Sequence, residues 1–162
     1  MTATATRPNR TSAEQANVEI AIMHLFEHAI TFNQTLGMKM MEFGEAPSIQ
    51  FEMRSELVGH FLYGRLHGGV ISATLDAVGG FAIMCGISAK HPADSAQQVM
   101  ERFSKLGTID LHVDYLRPGI GKHFIATAKI NRLGGRIGST QMALHNDEGL
   151  LIATGSANYI VT

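Results

Sequence analysis

Residues 66–87 read LHGGVISATLDAVGGFAIMCGI, and the way this run is read decides the fold. Its length and apolarity admit a membrane span. Asp76 sits inside it, however, and Gly79, Gly80 and Gly86 weaken it as a helix in any solvent. An aspartate near mid-bilayer costs roughly 2.5–3.5 kcal/mol on insertion scales. The run therefore reads as a helix over residues 68–89 inside a globular domain, with no membrane insertion. His91-Pro92 stops it. A helix this apolar on nearly every side must be covered on most sides.

The cover lies on both flanks. Residues 12–29 carry Val18, Ile22, Leu25, Phe26 and Ala29 at the spacing of one helical face, with Ser12 and Gln15 as the expected capping pair. Residues 38–43 and 48–54 read as strands joined at Ala46-Pro47, and in the second Ile49, Phe51 and Met53 alternate with polar neighbours. Residues 55–66 read as a loop, and residues 93–105 as either a second helix or a mobile loop. Four strands follow, over residues 108–116, 122–133, 136–145 and 150–160, separated by short turns rich in Gly, Asn, Asp and Pro. Short turns make these four antiparallel neighbours. The economical solution is α+β: one antiparallel sheet curled around one long central helix.

The rest of the chain sets limits. At 162 residues it is one domain, expected over residues 12–162 behind a flexible tail of residues 1–11. That tail has two arginines and no acid, but it has no apolar core of a signal peptide. Hydrophobic content of 45% against 17% charged residues excludes a disordered chain. The net charge of -1 argues against a nucleic-acid partner bound through a basic face. Cys85, the single cysteine, can form no internal bridge, which points to a reducing, cytoplasmic setting. Seventeen glycines and few charges suggest a surface packed against another copy of the chain.

Two features of the apolar helix could carry chemistry. His67-Gly68-Gly69 opens it, and the first N–H groups of a helix have no internal partners. With the helix dipole they suit an oxyanion or a polarised carbonyl. Equally, the motif could be a tight turn in which His67 caps its own backbone. Asp76 is expensive in such a helix unless paired, hydrogen-bonded or used as a base or nucleophile. His67 and Asp76 are nine residues apart, about 13 Å along a helix and on opposite faces. One carbonyl cannot touch both. Either the two are unrelated, or a site is shared between two subunits.

Leu66-His67-Gly68-Gly69-Val70, Ala73-Thr74-Leu75-Asp76, Gly107-Thr108-Ile109-Asp110-Leu111 and Asp114-Tyr115-Leu116-Arg117-Pro118-Gly119 together resemble the PaaI-type hotdog acyl-CoA thioesterases. The likeness is closest to the YigI-type branch, which acts on medium- and long-chain acyl-CoA. It implies a hotdog fold, a homodimer or a dimer of dimers, and hydrolysis of fatty acyl-CoA to free acid and CoA. No cofactor and no metal is implied, since coenzyme A is part of the substrate. The Gly69 N–H would meet the thioester oxygen, with His67 beside it orienting the substrate. Asp76 of the other subunit would attack the carbonyl or activate water, and the Thr108 hydroxyl would position it. Many relatives carry an Asn six or seven residues before the histidine; here His60 and Phe61 stand there. On the same resemblance, Gly68 would complete the substrate contact at the helix start. Arg132, Gly134, Gly135 and Arg136 are the candidates for the nucleotide end of CoA. Met38, Met40, Met41, Met53 and Met84 either line an acyl channel or fill the core.

Strict alternation along residues 108–114 would put Thr108 on the same face as Asp110, away from such a site. His24-Leu25-Phe26-Glu27-His28 matches a short zinc-peptidase pattern, but nothing else of a peptidase accompanies it. Gly134, Gly135 and Gly138 lack dinucleotide-site spacing. Cys85 reads as a small core residue. The competing functions are a hotdog dehydratase or hydratase that leaves the thioester intact, and a non-catalytic acyl-CoA sensor.

Overall fold

The computed structural model describes residues 8–161. The chain enters through α1 (Ser12–His24), a π-helical turn at Leu25–Ala29 and α2 (Thr31–Leu36). The strands β1 (Lys39–Glu42) and β2 (Ser48–Glu52) follow, then a small hairpin, β3 (Val58–His60) and β4 (Arg65–Leu66). The central helix α3 (Gly68–Lys90) and the short α4 (Ala96–Phe103) precede the last four strands. These are β5 (Gly107–Tyr115), β6 (His123–Leu133), β7 (Ile137–Asn146) and β8 (Leu151–Ile160). Six strands form one antiparallel sheet in the order β1-β2-β6-β7-β8-β5, so the expected pairing of β5 with β6 across their short connection is not made, and β5 pairs with β8 at the sheet edge instead. The sheet wraps α3, as the expected hotdog architecture requires.

Period-two burial explains the wrap. Phe124, Ala126 and Ala128 of β6, Thr140, Met142 and Leu144 of β7, and Ala157 and Tyr159 of β8 all face the helix and are buried. Against them α3 sets Leu75, Val78, Phe81, Ala82 and Ile83. The helix glycines that look like weaknesses in the sequence are close-approach sites. A Cβ on Gly79 would overlap the Tyr159 hydroxyl, and one on Gly86 would overlap the Cδ1 of Ile130. Alpha3 is long and apolar enough to cross a membrane, but its apolar faces are spent on this sheet.

Several local expectations are corrected. The first helix is capped by Thr11, not Ser12: the Thr11 hydroxyl accepts from the Glu14 N–H, and the Glu14 carboxylate accepts from the Thr11 N–H. The expected helix over residues 12–29 ends as α1 at His24, because residues 25–29 adopt the π form and Ile30 is extended. Residues 55–66 hold the β3–β4 hairpin rather than a plain loop. Residues 93–105 resolve in favour of a helix, α4, with a Ser95/Gln98 capping box.

Of the expected tail, residues 1–7 lie outside the described residues, and its last part is tied down. The Arg10 guanidinium donates to the carbonyls of Ser88 at 2.7 Å, His91 at 2.6 Å and Asp94 at 2.9 Å. These carbonyls lie at and just beyond the C-terminus of α3, where a cation complements the helix dipole.

Candidate active site

The N-terminus of α3 is organised by His67. Its backbone is extended at the cap position, and its Nδ1 accepts from the Gly69 N–H at 2.9 Å. The imidazole is then the neutral tautomer with its proton on Nε2. The local capping alternative is therefore realised: the N–H expected to await a carbonyl is occupied by the protein's own histidine. The 3-10 turn Ser55–Leu57, just before the hairpin, fixes His67, whose N–H donates to the Leu57 carbonyl at 2.9 Å. On the other side the Tyr115 hydroxyl donates to the Gly68 carbonyl at 3.2 Å.

His60 and Phe61 stand at the tip of the β3–β4 hairpin. The two rings stack with centroids 5.8 Å apart, and Tyr63 lies 4.9 Å from the His60 ring. Phe61 is 86% exposed, whereas the Nδ1 of His60 is buried with no partner among the described residues. A buried nitrogen beside an open aromatic tip is unusual on a finished surface.

Asp76 occupies a separate half of the site. The Thr108 hydroxyl donates to its Oδ1 at 2.8 Å. The Tyr159 hydroxyl donates to its backbone carbonyl at 3.0 Å and lies 3.4 Å from the same Oδ1. Oδ2 accepts no hydrogen bond among the described residues. Strict alternation fails at Thr108 because β5 carries a bulge: Thr108 pairs with Tyr159, and Asp110 pairs with Asn158. Two residues apart on β5 thus meet adjacent residues on β8, so they face opposite sides. Thr108 turns inward to Asp76, while Asp110 turns outward and accepts from the Asn158 amide at 3.0 Å.

The carboxylate lines a cleft of about 310 Å³. Its walls are apolar: Phe26, Ile30 and Phe32 from the N-terminal helical segment, and Phe81 and Met84 from α3. Sequence reasoning missed this N-terminal wall and Tyr159. The burial rhythm of β8 put Tyr159 inside, and a buried tyrosine hydroxyl needs a partner, but no local pattern pointed to Asp76. Among the five methionines singled out, Met84 alone lines the cleft. Met38 is core and Met41 is exposed.

Neither half reaches the other within one chain. None of His60, Phe61, His67, Gly68 and Gly69 lines the Asp76 cleft. Gly69 precedes Asp76 by seven residues, about 10 Å along the helix axis. The candidate nucleotide contacts differ in part from expectation. Gly134 and Gly135 line a second cleft of about 570 Å³, but its cations are Lys90, Arg102 and Lys105. Arg132 and Arg136, at the β6–β7 turn, are exposed and do not line it. The Lys90 ammonium donates to the Gly134 carbonyl at 3.2 Å, fixing the turn on the end of α3.

The decoys have structural duties. Glu27 gives its carboxylate to the Lys39 ammonium at 2.9 Å and the Met40 N–H at 2.7 Å, joining the π turn to β1. Burial pushes the Cys85 thiol up to about 12, the behaviour of an inert core residue.

Comparison with known proteins gives a consistent picture. Residues 63–153 match the family model described as the thioesterase superfamily. The medium/long-chain acyl-CoA thioesterase YigI of Escherichia coli K12 is 37% identical over 151 residues, covering 93% of this chain and 96% of that protein. The protein of the same name from Salmonella typhimurium is 36% identical with the same coverage. A crystal structure from Shewanella oneidensis, described as related to the thioesterase superfamily, superposes with a TM-score of 0.86 at 35% identity, covering 91% of this chain and 97% of that one. With its long helix inside one antiparallel sheet and its His-Gly-Gly and Asp76 motifs in place, this chain belongs to the thioesterase superfamily.

Proposed function

We propose that this chain is an acyl-CoA thioesterase that hydrolyses medium- to long-chain fatty acyl-CoA to the free acid and CoA, as a homodimer or a dimer of dimers in the cytoplasm. The observation that carries the reading is Asp76: a carboxylate with one free oxygen, set in an apolar cleft by two hydroxyls. The relatives' stated activity points the same way. The aromatic and methionine walls suit an alkyl chain.

In this reading each site takes Asp76 and Thr108 from one subunit and the helix start, with His67 and Gly69, from its partner. Support comes from the separation of the two halves and from β5, an edge strand with no outer neighbour among the described residues and with Ile109 and Tyr115 exposed. A long open edge of this kind invites pairing with a second copy. The thioester oxygen displaces the His67 Nδ1 as acceptor of the Gly69 N–H, and the displaced imidazole turns its Nε2–H toward the substrate. Asp76 then takes a proton from water, whose oxygen adds to the carbonyl carbon while negative charge gathers on the oxygen at Gly69. Collapse breaks the C–S bond, and the proton held by Asp76 passes to the departing sulfur. Direct attack by the Asp76 carboxylate, followed by hydrolysis of the anhydride, uses the same groups. Both routes draw on side chains, a backbone N–H and water, with no resident cofactor. Lys90, Arg102 and Lys105 beside Gly134 and Gly135 offer charge for the nucleotide phosphates.

The test is thiol release from acyl-CoA chains from acetyl to palmitoyl, with wild type and Asp76→Ala side by side. Wild type should release CoA most rapidly from medium or long chains, and the variant should not. Binding without release would instead make the protein a sensor. Addition or loss of water with the thioester intact would make it a hydratase or dehydratase.

A further inference from the structure

Tyr159 is 1% exposed, and its hydroxyl touches Asp76 at two points, the backbone carbonyl and Oδ1. Three elements build this approach. The bulge in β5 makes Thr108 and Tyr159 cross-strand partners, so both hydroxyls arrive at Asp76 from adjacent strands. On α3, Gly79 leaves the space the Tyr159 hydroxyl fills, where any side chain would collide with it. Beside that hydroxyl, Thr140 of β7 is fully buried, and its own hydroxyl hydrogen-bonds Tyr159.

We propose that Tyr159 is a positioning residue for the Asp76 carboxylate. Its bond to the Asp76 carbonyl fixes the helix at that turn. The one proton of its hydroxyl is shared between that carbonyl at 3.0 Å and Oδ1 at 3.4 Å, and with the Thr108 hydroxyl on Oδ1 it sets the rotamer. Oδ2 is thereby the oxygen that meets water or the thioester carbon. Burial, and secondarily the charge of Asp76, hold the Tyr159 hydroxyl above its ordinary range, so it remains a donor throughout the working pH range. The other acid acting on Tyr159 is Asp110, which lies on the outer face of β5 with its carboxylate held by Asn158. The inference rests on the thioesterase reading above.

The experiment compares wild type with Tyr159→Phe in acyl-CoA hydrolysis as a function of pH, following kcat and KM separately. Losing a hydrogen bond to a charged group should lower kcat about 10- to 100-fold, with KM little changed. The acid limb of the kcat/KM profile should move to higher pH, because a donor to the carboxylate has gone. A merely structural tyrosine would lower activity by one factor at every pH and leave the limb in place, and that result would overturn the proposal. So would unchanged kcat. If Tyr159→Phe does not fold, Gly79→Ala displaces the intact hydroxyl and must show the same movement of the limb. Failure of wild type to release CoA would instead refute the thioesterase reading itself.

Discussion

The two halves of the site are made by different means. The helix start is largely local: His67 caps Gly69 two residues on, with support from the Leu57 and Gly119 carbonyls and from Tyr115. The Asp76 half is assembled from far apart in the chain, with Thr108 32 residues away and Tyr159 83 residues away. The local half is occupied by its own histidine, whose Nδ1 accepts from the Gly69 N–H. The long-range half is set in advance, with one carboxylate oxygen bound and the other free. Electrostatic preorganisation of this kind needs rigid scaffolding, which the sheet supplies and a loop could not.

Removing the preset half should do the most damage. Asp76→Ala is expected to lower kcat about a thousandfold in the thiol-release assay while size-exclusion chromatography shows the assembly unchanged. Next comes the local half. Gly69→Pro deletes the N–H and sets a side chain against the His67 imidazole, whose Nδ1 would lie 2.9 Å from the new Cβ, so the donor and its cap go together and kcat should fall at least about a hundredfold. If Gly69→Pro were as active as wild type, the helix start would have no part in the reaction.

The scaffold gives smaller effects, read in stability. Gly79→Ala forces a methyl against the Tyr159 hydroxyl and should cost about 1–3 kcal/mol, lowering Tm by several degrees in thermal unfolding. Cys85, remote from both halves, should matter least and only in alkali. Its thiol is raised from 9.0 to about 12 by burial, so the folded state favours the protonated form. That contribution is complete below the unfolded value near 9 and is lost as pH rises toward about 12. Thermal melts of Cys85→Ser against wild type should therefore converge as pH climbs through that window. At neutral pH a thiol reagent should label Cys85 only when the chain unfolds.

How legible each half was in the sequence follows from the same contrast. The sheet-wrapped helix could be read because α3 and the four late strands declare themselves by period and turn chemistry. His-Gly-Gly could be read as a helix start because capping is a matter of adjacent residues. Asp76 stood out as a charge in an apolar helix. Thr108 was named, but its direction was not settled, because a bulge shifts the rhythm by one residue and leaves no mark in composition. Tyr159 and the Phe26, Ile30 and Phe32 wall stayed hidden, since each meets Asp76 or its cleft only after the chain has folded back. The π turn that presents Phe26 is indistinguishable in sequence from continuous α-helix, because residues 25–29 keep an amphipathic spacing that either helix satisfies.

Mixed dimers test directly whether each complete site joins the two halves from two subunits, as proposed. Asp76→Ala and Gly69→Pro chains would be unfolded together, refolded as a mixture and assayed for CoA release. If the halves come from different chains, each mixed dimer holds one site with both halves intact, and random pairing should restore about a quarter of wild-type activity. If both halves came from the same chain, every site would carry a lesion. Activity would then stay at the level of the separate variants, contradicting the account.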